Sequence, residues 1–132
     1  MVLNTSAKRP LLIFDLDGVL VDSKEIHFIA LNKALKELDS KFVITKDQHL
    51  RFYDGLTTRK KLEKLNIDKG LPSAYFENIW NQKQIFTEEL LMELKPDDEL
   101  ISIFLHLNNL GINIAVASNS IKETVQTVLN RL

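Results

Sequence analysis

The stretch LLIFDLDGVLVDS, residues 11–23, decides the fold. Leu11–Phe14 is a continuous apolar run without helical spacing, the pattern of a strand buried on both faces of a parallel sheet. Two aspartates, Asp15 and Asp17, stand at its carboxyl end, and Gly18 lets the chain turn sharply there. Two carboxylates at the end of a hydrophobic segment repel each other and are costly to desolvate. Alternate residues of a strand point the same way, ~6.6 Å apart along it, so Asp15 and Asp17 can flank one small object. In an open α/β sheet, ligands collect beyond the carboxyl ends of the strands.

The matching feature lies near the other end of the chain. Ile112–Ala117 (INIAVA) is rich in β-branched residues and reads as a second strand, ending in Ser118-Asn119-Ser120. Between Asp98 and Leu110, Leu100, Ile101, Phe104, Leu107 and Leu110 form a helical stripe, with Asp97 or Asp98 as its cap and Gly111 at the left-handed position after its end. A helix between two such strands is the pattern of a parallel crossover. After the second strand, Ser120 and Glu123 have the spacing of a capping box. Ile121, Val125, Val128, Leu129 and Leu132 then mark the inward face of a last helix.

The block between these parts is helical. Ile26, Ile29, Ala30, Ala34, Leu35 and Leu38 recur at three- and four-residue intervals. A short helix is expected from Lys46 to about Phe52. Another spans Thr58–Leu65, with Leu62 and Leu65 inward and Lys60, Lys61 and Lys64 outward. A long one carries Tyr75, Phe76, Ile79, Trp80, Ile85, Phe86, Leu90, Leu91 and Leu94, with Phe76, Trp80 and Phe86 read as core. The order predicts an α/β fold with a Rossmann-like core and a partial parallel sheet. Residues 1–22 and 94–132 form that core, and residues 23–93 are an α-helical cap inserted at the carboxyl end of the first strand.

Bulk properties narrow the function classes. The 132 residues carry 17 basic and 18 acidic side chains, so there is no net field to attract nucleic acid or an anionic membrane. Cysteine is absent, which excludes a thiol nucleophile and cysteine-ligated metal sites. No apolar run approaches the ~20 residues of a membrane span, and the amino terminus lacks the layout of a signal peptide. A cytoplasmic location is the expectation. Asn4-Thr5-Ser6 matches a glycosylation acceptor, a match given no weight without a secretion signal.

Asp15-Leu16-Asp17-Gly18-Val19-Leu20, together with a later apolar strand ending in Ser118-Asn119, resembles the haloacid dehalogenase (HAD) superfamily. Val21-Asp22-Ser23, the helix with Glu25, His27 and Phe28, and the segment Gly55-Leu56-Thr57-Thr58-Arg59 look like its β-phosphoglucomutase and phosphoglycolate phosphatase group. The resemblance implies a phosphatase or phosphomutase of small phosphorylated metabolites. Asp15 would be the nucleophile that carries an aspartyl-phosphate, and Asp17 the acid and base. Mg²⁺ would be held by the Asp15 carboxylate and the Asp17 backbone carbonyl. Ser118 and Asn119 would hold the phosphoryl group, and Arg59 would contact phosphate from the cap. Asp17 also points away from the superfamily's dehalogenase members, which have no carboxylate at that position, and from its P-type ATPases, which have threonine.

The family pattern continues past the point where this sequence ends, with further strands, a phosphate-binding lysine and more acidic metal ligands. The expectation is therefore the amino-terminal part of a longer enzyme. The alternative is a non-catalytic truncated HAD-like binding or assembly module that pairs its open sheet edges with a second copy or a partner.

Overall fold

The computed structural model describes residues 8–132. The Asn4-Thr5-Ser6 match lies outside the described residues. The chain divides into two compact units: the described residues up to Asp22 with Leu94–Leu132, and Ser23–Glu93.

The first unit is built on two strands, β1 (Leu11–Asp15) and β2 (Asn113–Ala117). They pair in parallel, from Leu11 opposite Asn113 to Asp15 opposite Ala117. The register brings both carboxyl ends level, so the Asp15–Gly18 turn and the Ser118–Ser120 turn leave the sheet side by side. The parallel pairing expected from the sequence is present, and the helix Asp98–Asn109 leads into β2. Asp97 caps that helix, its carboxylate accepting from the Leu100 N–H at 3.0 Å. Gly111 follows it with φ +74°, as the glycine placement predicts. Phe104 on the helix packs its ring 5.3 Å from that of Phe14 on β1.

Burial is where β1 departs from expectation. Leu11, Leu12 and Ile13 are 55%, 41% and 63% exposed. Among the described residues β2 is β1's only strand partner, and each strand keeps one open edge. The apolar run is a strand, but the described residues supply too little structure to cover both of its faces. The helix Asp98–Asn109 is similarly bare, with Ile101, Ile103 and Leu105 exposed. In this unit Leu16, Leu20, Val21 and Val128 are buried.

The second unit is wholly helical. We number the helices in chain order: α1 (Ser23–Leu38), α2 (Lys46–Gln48), α3 (Thr58–Lys69) and α4 (Phe76–Met92), with the helix of the first unit as α5 and the last, Lys122–Arg131, as α6. α2 runs on into a wide helical turn, His49–Tyr53. Its start is fixed by a capping box, in which Thr45 Oγ1 accepts from the Gln48 N–H and Gln48 Oε1 accepts from the Thr45 N–H. α1 and α4 make the most extensive contact of the unit. Leu31, Ala34, Leu35, Phe42, Ile44, Tyr53, Leu62, Leu65, Leu71 and Ile79 form its core, with Phe28, Leu38, Phe76 and Phe86 packed against it.

Two side chains of α4 reverse the expected pattern. Trp80, expected in the core, is 48% exposed, whereas Lys83 is 8% exposed. The buried face runs Ile79, Lys83, Thr87, Leu91 at intervals of four. Trp80 is one position round the helix from that line, so its indole faces away. Burial pushes the Lys83 ammonium down to about 8, with nearby Lys61 adding repulsion.

Candidate active site

The site lies in the first unit, at the carboxyl ends of β1 and β2. An open cavity of about 410 Å³ is lined by Asp15, Ala117, Ser118 and Asn119. Asp15 is the last residue of β1, and its carboxylate Oδ1 accepts from the Leu16 N–H at 2.9 Å. That bond holds one carboxylate oxygen of a residue that lines the cavity.

Asp17 sits in a tight turn. The Gly18 N–H donates to the Val21 carbonyl at 2.8 Å, and the Leu20 N–H to the Leu16 carbonyl at 2.9 Å. Gly18 has φ +80°, the left-handed region in which a side chain is strained. Leu16 is fully buried beneath the turn. An apolar residue between two aspartates thus anchors the loop while the carboxylates on either side stay near the surface.

The Asp17 carboxylate faces the β2 turn. Its Oδ2 accepts from the Ser118 hydroxyl at 3.3 Å and from the Ser120 hydroxyl at 2.9 Å. Ser118 Oγ in turn accepts from the Ser120 N–H at 2.9 Å. Asp17 and Ser118, which are 101 residues apart in sequence, are therefore in direct contact.

Ser120 was not legible as a site residue. The sequence reads it as the helix cap of a box with Glu123. In the structure α6 begins at Lys122 with Ile121 at its N-cap and no side-chain cap bond. Ser120 lies one residue before that N-cap, and its hydroxyl donates to the Asp17 carboxylate in a charge-assisted bond. The one available signal is the i, i+2 spacing of Ser118 and Ser120 just past a strand end.

Arg59 belongs to the second unit. Its Nε donates to Glu63 Oε1 at 3.1 Å, and its side chain is 86% exposed. Such an exposed pair holds the guanidinium only weakly.

The donors available to a cation are hard oxygens, the Asp15 carboxylate and the Asp17 carbonyl, which suit Mg²⁺ in type. No group of three or more histidine, aspartate or glutamate side chains is gathered for a metal among the described residues. Two such oxygens are fewer than the six that an octahedral Mg²⁺ requires.

Residues 12–132 match the family of haloacid dehalogenase-like hydrolases. The chain is 30% identical over 127 residues to a β-phosphoglucomutase of Bacillus subtilis, covering 91% of this chain and 54% of that protein. It is 31% identical over 121 residues to a phosphoglycolate phosphatase of Aquifex aeolicus, again covering 54% of the relative. Among solved structures, a HAD hydrolase of family IA, variant 3, from Entamoeba histolytica aligns with a TM-score of 0.71 at 19% identity, over 93% of this chain and 54% of that one. The CbbY protein of Rhodobacter sphaeroides, in complex with xylulose-(1,5)bisphosphate, aligns with a TM-score of 0.73 at 15% identity, over 93% of this chain and 56% of that one. The structural likenesses establish the fold, a partial Rossmann-like α/β core with an attached helical unit. The chain spans about half the length of the curated relatives it matches.

Proposed function

Because the chain belongs to the haloacid dehalogenase-like hydrolase family, we propose that it carries half of a phosphoryl-transfer site, acting as a phosphatase or phosphomutase on small phosphorylated metabolites in the cytoplasm. The observation that carries this reading is that Asp15, Ser118 and Asn119 line one cavity while Asp17 is hydrogen-bonded to Ser118 beside it.

In the proposed reaction, a carboxylate oxygen of Asp15 attacks phosphorus and the bond to the ester oxygen breaks. Asp17 gives its proton to that leaving oxygen. Asp17 then takes a proton from water, which attacks the aspartyl-phosphate and releases inorganic phosphate with Asp15 restored. In a mutase a second substrate hydroxyl takes the place of water. Ser118 and Asn119 donate to the phosphoryl oxygens at the positions where charge develops. Mg²⁺, when bound by the Asp15 carboxylate and the Asp17 carbonyl, would offset the charge of the phosphoryl group.

The second unit, Ser23–Glu93, is proposed as the cap that reads the substrate and excludes water, with Arg59 as its phosphate contact. The weak Arg59–Glu63 pair is compatible with that role, since its guanidinium is easily released.

Release of phosphate from an aryl phosphate with Mg²⁺ tests the proposal, with Asp15→Asn as control. Removing the nucleophile should abolish turnover, and unchanged turnover in Asp15→Asn would refute the assignment. The second reading is an assembly module, favoured by the exposed apolar side chains of β1.

A further inference from the structure

We propose that Ser120 is a positioning residue for Asp17, one that lets the single hydroxyl hydrogen of Ser118 pass from Asp17 to a phosphoryl oxygen. The inference deepens the phosphoryl-transfer reading above and rests on it for the identity of the incoming anion.

The geometry sets up a competition. A serine hydroxyl has one hydrogen to donate. Ser118 directs its hydrogen to Asp17 Oδ2 at 3.3 Å, while its own oxygen accepts from the Ser120 N–H at 2.9 Å. Ser118 also lines the cavity with Asp15 and Asn119, where a phosphoryl oxygen would need that same hydrogen. Both demands cannot be met at once. Ser120 resolves the conflict, because its hydroxyl is the shorter bond to the same carboxylate oxygen, at 2.9 Å. When Ser118 turns to the anion, Ser120 still holds Asp17 in place. The Ser120 N–H meanwhile keeps the Ser118 oxygen where it is, so the exchange needs only rotation of one O–H bond. Both Ser120 contacts are local to the first unit, and no part of α6 is required to move.

The test reads Asp17 directly and does not depend on turnover. Carboxyl-carbon NMR of the whole chain, assigned with Asp15→Asn and Asp17→Asn, is recorded for wild type, Ser120→Ala, Ser120→Thr and Ser118→Ala. Ser120→Ala should shift the Asp17 carboxyl resonance more than Ser118→Ala does, leave that of Asp15 in place, and be reversed in Ser120→Thr, which keeps the hydroxyl. Inorganic phosphate is then titrated in with Mg²⁺ present. Ser120→Ala should bind it about fivefold more weakly than wild type, the scale of one lost hydrogen bond, and Ser120→Thr should recover most of that. An unmoved Asp17 resonance in Ser120→Ala would overturn the positioning role, as would equal phosphate affinity in wild type and Ser120→Ala. If wild type binds no phosphate while the Asp17 resonance still depends on Ser120, the phosphoryl-transfer reading fails and with it the hydrogen exchange, whereas the Ser120–Asp17 contact stands.

Discussion

The side-chain amide of Asn32 holds the backbone of Ile44 from both sides: Nδ2 donates to the Ile44 carbonyl at 2.8 Å, and Oδ1 accepts from the Ile44 N–H at 2.9 Å. Ile44 is 1% exposed and belongs to the core of the helical unit. The pair therefore ties the segment before α2 to α1 and satisfies two backbone groups that could not otherwise stay inside. Asn32→Ala should cost about 2 kcal/mol, since both groups lose their partners. Asn32→Asp should be no better, because it places a carboxylate oxygen against the Ile44 carbonyl. Urea unfolding of the three proteins followed by helical circular dichroism measures this. A loss for Asn32→Ala below about 0.5 kcal/mol would mean that water replaces the amide.

That contact marks the limit of what the sequence shows. Periodicity located the helices, because each must bury one stripe, and Leu35, Leu62 and Leu65 are buried as their spacing predicts. Asp15, Asp17, Ser118 and Asn119 could be singled out because the two strand ends resemble a family motif, and the fold brings Asp15, Ser118 and Asn119 to one cavity with Asp17 beside it. Asn32 and Ser120 could not. Their partners lie 12 and 103 residues away, and a side chain that can cap a helix or face water gives no sign of a distant partner. Trp80 was misread for a related reason: composition favours burying an indole, but the face of α4 is set by Ile79 and Leu91, and it takes in Lys83 instead.

Lys83 makes the stability of the helical unit depend on pH. Burial lowers its folded-state value from 10.5 to about 8. Below the folded value the ammonium is charged in both states, and folding bears the full cost of burying it. Between about pH 8 and 10.5 the unfolded chain binds more protons than the folded one, so stability rises with pH across that window. Lys83→Met should remove the cost, stabilising the unit by roughly 2 kcal/mol at pH 7, with the gain shrinking towards pH 10. Thermal melts of both proteins at a series of pH values decide it. A gain that is constant with pH would place the effect in packing and not in charge.

Gly18 should tolerate added volume but not a side chain's conformational preference. No atom lies within 4 Å of where a Cβ would sit, while φ is +80°. Gly18→Ala is expected to cost about 1 kcal/mol from backbone strain alone. Gly18→Asn should cost less, because asparagine enters the left-handed region more readily. The turn carries Asp17, so the strained variant should also disturb the Gly18–Val21 hydrogen bond. Amide exchange at Gly18 reports that bond. Equal stability of the alanine and asparagine variants would argue against strain as the cause.

The exposed strand makes a prediction about association. Ile13 is 63% exposed and Leu16, three residues on, is fully buried. Leu16→Ala should therefore cost about 2–4 kcal/mol through the cavity it leaves. Ile13→Thr should cost no more than about 0.5 kcal/mol, as surface substitutions do, while keeping the β-branched shape that suits a strand. An apolar strand with an open edge is a template for pairing with another chain. If β1 pairs in this way, the apparent mass of the wild-type chain in sedimentation should rise with concentration, and Ile13→Thr should reduce that rise without loosening the fold. A wild-type chain that sediments as a monomer at all concentrations would remove the assembly reading and leave the exposed apolar face without a partner of its own kind. A large stability loss in Ile13→Thr would show that β1 is covered on both faces after all, as its run of four apolar residues first implies.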